Sequence, residues 1–141
     1  MNGLAARPAA PGDAEAVFAL AQSRPYTAKW SVAALAEEAA RPDSIFLVMP
    51  GGYALARVVE DDCRLLDIAA SADGRGRGRA LLAALTAAAK ARGCVRISLE
   101  VSAANARALS FYEKAGARVV GRRPKFYYDG ADAVLMDLDL R

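Results

Sequence analysis

The chain has 141 residues, 55% of them hydrophobic, with 19 basic and 16 acidic side chains giving a formal charge of +3 and no histidine. That length fits one domain over residues 1–141 and leaves no room for a second, while so mild a charge does not demand a nucleic-acid partner. Without histidine there is no Ser-His-Asp arrangement and most zinc sites are excluded, so any proton transfer must use a carboxylate, tyrosine, lysine, cysteine or water.

Residues 4–7 read as a short first strand, and Pro11-Gly12-Asp13 then offers a turn and an N-cap for a helix to about Gln22. Arg24-Pro25-Tyr26 breaks that helix. Ser31 is a second N-cap, for a helix over Val32–Ala40 that stops before Pro42. Trp30, the only tryptophan, stands just outside that cap as either a staple on the helix or part of a substrate wall. Residues 44–49 and 53–60 are apolar, partly alternating runs around the hairpin punctuation Pro50-Gly51-Gly52. Asp61-Asp62 makes another turn, and residues 64–70 (RLLDIAA) complete a three-stranded meander.

Residues 73–93, DGRGRGRALLAALTAAAKARG, organise the rest. Glycines alternate with arginines, and a helix follows with Leu81, Leu82, Leu85 and Ala89 at helical spacing. Glycines let backbone N–H groups approach a ligand, and the helix start adds its positive end, so the abutment suits an anion. No acid lies between Asp73 and Glu100, and Arg75, Arg77, Arg79, Lys90, Arg92 and Arg96 fall in that interval. Such a field favours a polyphosphate over a neutral ligand.

Gly93 ends the helix. Residues 95–101 form an alternating strand with Val95, Ile97, Leu99 and Val101 on one face and Glu100 on the other. Asn105 caps a helix to about Ala115, closed by Gly116; residues 118–122 and 133–140 are strands, with a turn region at 127–131. Cys63 and Cys94 have neither a disulfide framework nor metal-ligand spacing, and no metal is expected. Neither a signal peptide nor a membrane segment is visible, which reads as a soluble, cytoplasmic protein with no membrane partner and no direct nucleic-acid contact.

From residue 65 to residue 140 the sequence resembles the GNAT superfamily of acetyl-CoA-dependent N-acetyltransferases, and more closely its RimI branch, which acetylates the alanine end of a ribosomal protein. The family's phosphate signature is Arg or Gln, two variable residues, Gly, one variable residue, then Gly or Ala. Two registers fit: one makes Gly76 and Gly78 the signature glycines with Asp73 in the Arg or Gln position, and the other runs from Arg75 through Gly78 to Ala80. The run LEVSAANARALSFYEKAGA is similar to the family's strand, loop and helix, and RRPKFYYDGADAVLM to the RimI ending; Lys29-Trp30-Ser31 is similar to its Pro-Trp-Ser. Ala117 and Arg64 depart from the pattern, standing where Phe and an acidic residue are common.

The resemblance implies an α/β fold (an α+β mixed sheet): a central, mostly antiparallel sheet splayed at the cofactor site and flanked by about four helices. It implies acetyl-CoA as co-substrate, without a metal, and a peptide or protein N-terminus as acceptor. Glu100 is then the base and Tyr112 the acid. Ile68, Ala69, Ala70, Arg75, Gly76, Arg77, Gly78, Arg79 and Asn105 would bind the cofactor, and Trp30, Tyr127 and Tyr128 the acceptor. The chemistry suits these residues: an α-amine titrates near ~8, so a modest base suffices, and a phenol near ~10 can protonate a departing thiolate. Tyr112 lies seven positions, or two turns, past Asn105 and so on the same helix face.

Other readings remain. A dinucleotide site lacks its third glycine, and a P-loop lacks Gly-Lys-Ser/Thr. A non-catalytic RNA-binding module could use the arginines on phosphate, and within acetyltransferases a small amine or a lysine side chain could replace the protein N-terminus.

Overall fold

The computed structural model describes residues 5–71 and 76–141, so Leu4, Asp73 and Arg75, with the choice between glycine registers, lie outside the described residues. Seven strands form one sheet: β1 (Arg7–Pro8), β2 (Ser44–Met49), β3 (Gly52–Val59), β4 (Asp62–Ala70), β5 (Arg96–Ser102), β6 (Arg118–Arg123) and β7 (Ala133–Asp139). Their spatial order is β1-β2-β3-β4-β5-β7-β6. Every pairing is antiparallel except β4 with β5. Parallel neighbours need a crossover, supplied by α3 (Arg77–Ala91). The other helices are α1 (Ala14–Gln22), α2 (Val32–Ala40) and α4 (Ala106–Lys114). The expected mixed α/β fold with a mostly antiparallel sheet and four helices is what forms.

The sheet is covered on both faces, and the strands show it in their composition. Along β3, Ala54 and Ala56 face α3 while Tyr53 and Leu55 face α1 and α2, and all four are fully buried. Alanines on one face and large side chains on the other set how near each helix layer approaches. The apolar stripe of α3, Leu81, Leu82, Leu85 and Ala89, is buried against that first face; each leucine contributes about 1.5–3 kcal/mol by leaving water. Ser31 caps α2 by accepting from Ala34 N at 3.0 Å, and Asn105 caps α4 by accepting from Ala108 N at 3.2 Å.

Asp13 behaves differently from its expected role. It stands at the N-cap position of α1, but its carboxylate turns back to the Ala10 amide at 2.8 Å and takes both guanidinium nitrogens of Arg7 at 2.8 and 2.9 Å. The hydrogen bonds from Arg7 hold its carboxyl down at about 2. The residue therefore ties β1 to the 3-10 turn Pro11–Asp13 instead of capping the helix.

At the β2–β3 turn, Gly51 takes φ +74°, and a Cβ there would lie 2.8 Å from both Arg77 Nε and Ser71 Oγ. Arg77 Nε donates to Pro50 O at 2.7 Å, and Ser71 N to Gly51 O at 2.8 Å, so the turn is clamped to the residue after β4 and to the start of α3. Gly51→Ala combines a strained φ with this crowding and lowers stability by about 1–2 kcal/mol. Urea unfolding would show it as a lower midpoint at constant slope; an unchanged midpoint would mean the clamp is loose.

Candidate active site

The decisive feature of the sheet is where β4 and β5 part. They pair at Asp62↔Arg96, Cys63↔Ile97 and Arg64↔Ser98, and no further. Just beyond, the β3 register skips Leu66: Leu55 lies opposite Asp67 while Ala56 lies opposite Leu65. A bulge bends its strand, and here it also exchanges the faces of β4. Cys63 and Leu65 pack under α3, whereas Ala69 packs under α1 and α2. The rest of β4 leaves β5, and residues 65–70 have no strand partner on that side among the described residues.

Two clefts occupy the resulting wedge. The first, of about 600 Å³, is lined by Ile68, Ala69 and Ala70 of β4, by Gly76, Arg77, Gly78 and Arg79 at the start of α3, and by Asn105, Phe111 and Tyr112. The second, of about 270 Å³, is lined by Leu65, Leu66 and Asp67 of β4, by Leu99, Glu100, Val101 and Ser102 of β5, and by Tyr127. Tyr26, Thr27, Ile68, Asn105 and Tyr112 line both, so the two clefts adjoin, with Tyr112 in their common wall.

The two ends differ in charge. Arg24, Arg77, Arg79 and Arg107 line the first cleft with no acidic side chain among its lining residues, while Asp67 and Glu100 line the second with no cation. The first turn of α3 faces the basic end, where Gly76 occupies the N-cap at φ +75° and the helical ladder begins with Ala80 N to Gly76 O at 3.1 Å. Part of the expected basic field lies elsewhere. Lys90 and Arg92 stand at the far end of α3, about 20 Å along a 15-residue helix. Arg92 there donates to Pro42 O at 2.8 Å and Ser44 O at 3.1 Å, and Arg96 pairs with Asp61 at 3.7 Å. Arg24 and Arg107, from other segments, take their place around the cleft.

Over residues 17–117 the sequence matches the acetyltransferase (GNAT) family. The chain belongs to that family. It is 37% identical over 93 residues to the ribosomal protein bS18-alanine N-acetyltransferase of Salmonella typhimurium, a match spanning 62% of this chain and 63% of that protein. The crystal structure of the ribosomal-protein-S18-alanine N-acetyltransferase from Escherichia coli superposes with a TM-score of 0.83 at 29% identity, covering 96% of this chain and 92% of that one. The structure of yncA from Salmonella typhimurium, solved with its cofactor acetyl-CoA, shares the fold at a TM-score of 0.79 and 21% identity, over 96% and 93% of the two chains.

Within this GNAT fold most residues singled out from sequence converge on the wedge. Ile68, Ala69, Ala70, Gly76, Arg77, Gly78, Arg79 and Asn105 line the first cleft, Glu100 and Tyr127 the second, and Tyr112 both. Two do not. Trp30 is half-buried against the cluster of Val17, Leu35 and Tyr53 between the helices and the sheet, as a staple would be, and lines neither cleft. Tyr128 is fully exposed and also lines neither. Tyr127 is half-buried, its ring packed edge-on against Phe126 at 5.1 Å.

Glu100 sits at the mouth of the second cleft, with its Oε1 3.6 Å from Arg123 on β6. Tyr112 is 5% exposed, and burial, with the Asp67 charge adding to it, pushes its phenol above the usual tyrosine range, so it stays protonated. Asp67 was not legible as a site residue: it reads as one acid inside an apolar strand, and no pattern in RLLDIAA marks it. It is one of the few buried polar side chains, and Tyr53 donates its hydroxyl to it at 2.6 Å.

Proposed function

We propose that the chain transfers the acetyl group of acetyl-CoA to the α-amino group of a protein N-terminus, directly and without an acyl-enzyme, in the bacterial cytoplasm. The observation that carries this reading is the pair of adjoining clefts, one basic and one acidic, with Tyr112 in the wall they share. Acetyl-CoA supplies the activated acyl group as a thioester. An extended, polyanionic ligand fits the first cleft in three respects: its volume, its four arginines, and a strand edge on β4 freed by the splay, to which amide groups can add as a further strand would. Main-chain groups of Ile68, Ala69 and Ala70 would hold the pantetheine portion, and the amides at Gly76, Gly78 and Arg79 the pyrophosphate. Arg75, another expected contact, lies outside the described residues.

Glu100 takes the proton of the acceptor amine, directly or through a water, and Tyr112 gives its hydroxyl proton to the departing sulfur. Tyr127 packs beside the acceptor. The bS18-alanine relatives support a protein N-terminus beginning with alanine, that of a ribosomal protein as theirs is, and the small second cleft suits a small first residue. An alanine-initiated peptide should give thiol release with acetyl-CoA, while the same peptide with a blocked N-terminus and a free lysine should give none. Release from the blocked peptide alone would transfer the reading to a lysine acetyltransferase.

A further inference from the structure

Two carboxylates of the described chain are nearly inaccessible, and their surroundings differ. Glu38, 5% exposed, is paired with Arg57 and lies 3.9 Å from Arg41. Asp67, 7% exposed, makes no ion pair among the described residues. It accepts instead from a neutral donor, the Tyr53 hydroxyl at 2.6 Å, and burial raises its carboxyl above the usual carboxylate range. A buried carboxylate without a cationic partner is costly, and this one opens onto the second cleft from the β4 wall while Glu100 faces it from β5. Lys29 acts on it only through space.

We propose that Asp67 is the acceptor anchor: its charge receives the incoming amine as an ammonium ion and holds it between β4 and β5 until Glu100 removes the proton. This rests on the acetyl-transfer reading above. A cation arriving in the cleft gives the buried carboxylate the partner that the fold withholds. The α1–α2 connection contributes Pro25, Tyr26 and Thr27 to the same cleft, so the charge of Asp67 and that wall face one space. On the opposite rim the Tyr26 hydroxyl reaches Ala104 O at 3.4 Å.

Asp67→Asn separates the charge from the hydrogen bond, since the amide oxygen can still accept from the Tyr53 hydroxyl. With an alanine-initiated peptide and saturating acetyl-CoA, KM for the peptide should rise about tenfold while kcat changes by less than about threefold, as for loss of one charge contact. The inhibition constant of the same peptide lacking its amine should stay within about twofold of wild type, because it has no charge to read. Loss of shape would instead weaken both peptides together. An unchanged KM, or a parallel loss for the amine-free analogue, overturns the proposal.

A measurement on the unaltered protein guards against misfolding of the variant. Peptide affinity for the protein–CoA complex, titrated from pH 6.5 to 9, should weaken as the amine loses its proton near ~8; tightening would contradict an ammonium anchor. The groups facing Asp67 are Tyr53 from β3, Tyr112 from α4, Lys29 from the α1–α2 connection, and Glu100 and Tyr127 across the cleft; burial raises all three phenols away from that window. Failure of the wild-type protein to bind acetyl-CoA overturns both readings. With that binding intact, the peptide data judge Asp67 alone.

Discussion

Glu100→Gln should lower kcat at pH 7 by about two to three orders of magnitude, the span typical of a lost general base. Acetyl-CoA affinity should stay within about twofold, because Glu100 belongs to the second cleft and not to the first. Gln keeps the size of the side chain and cannot take a proton. The defect should therefore shrink as pH rises through ~8, where the free amine is increasingly neutral and needs no base. Steady-state rates from pH 7 to 9.5 test this. Equal rates for variant and wild type at pH 7 would remove Glu100 from the mechanism, and a deficit constant in pH would make it a positioning group. The strand supports the residue from behind: Ile97, Leu99 and Val101 are buried, and Glu100 pairs with Leu135 of β7, so its side chain projects from a rigid element.

Tyr112→Phe should cost about a hundredfold in kcat with little change in stability. The ring packs edge-on against Phe111 at 5.2 Å and stays in place without its oxygen. Among the described residues no protein group hydrogen-bonds the hydroxyl, so its removal strands no buried partner. A thermal midpoint within a few degrees of wild type, together with the slow turnover, is the expected pair of results. A large fall in the midpoint would make Tyr112 a core aromatic, and an unchanged kcat would leave proton delivery to water.

Most elements were legible because their causes are local. The stripe of α3, the alternation of β5, and the caps Ser31 and Asn105 all act within a few residues, and each forms as expected. What escaped was set by partners distant in sequence. The bulge at Leu66 exists only relative to β3, and neither RLLDIAA nor its neighbours betray it. β7 inserts between β5 and β6, an arrangement that depends on which edge is free and not on any local signal. Arg92 and Arg96 counted toward the anion field in sequence, but a straight 15-residue helix carries Arg92 to the other end of the sheet, and Arg96 pairs there with Asp61. Arg24 and Arg107 reach the cleft by folding alone.

The site followed the same division. Glu100, Asn105 and Tyr112 lie within thirteen residues on one strand-loop-helix unit, where spacing determines placement. Trp30 and Tyr128 depend on how connections fold over the sheet, and they pack or project away from the wedge. Asp67 was hidden by its own strand, since an acid in an apolar run is informative only once its depth and its lack of a cation are known.

On the proposed reading, the wedge between β4 and β5 brings acetyl-CoA to a peptide α-amine. The most direct test is fragmentation mass spectrometry of an alanine-initiated peptide carrying an internal lysine, after incubation with the protein and acetyl-CoA. The acetyl group should be found on the α-nitrogen of the first residue, dependent on the protein and abolished in Glu100→Gln at pH 7. Acetyl on the lysine alone, or on no peptide nitrogen despite saturable acetyl-CoA binding, would contradict it.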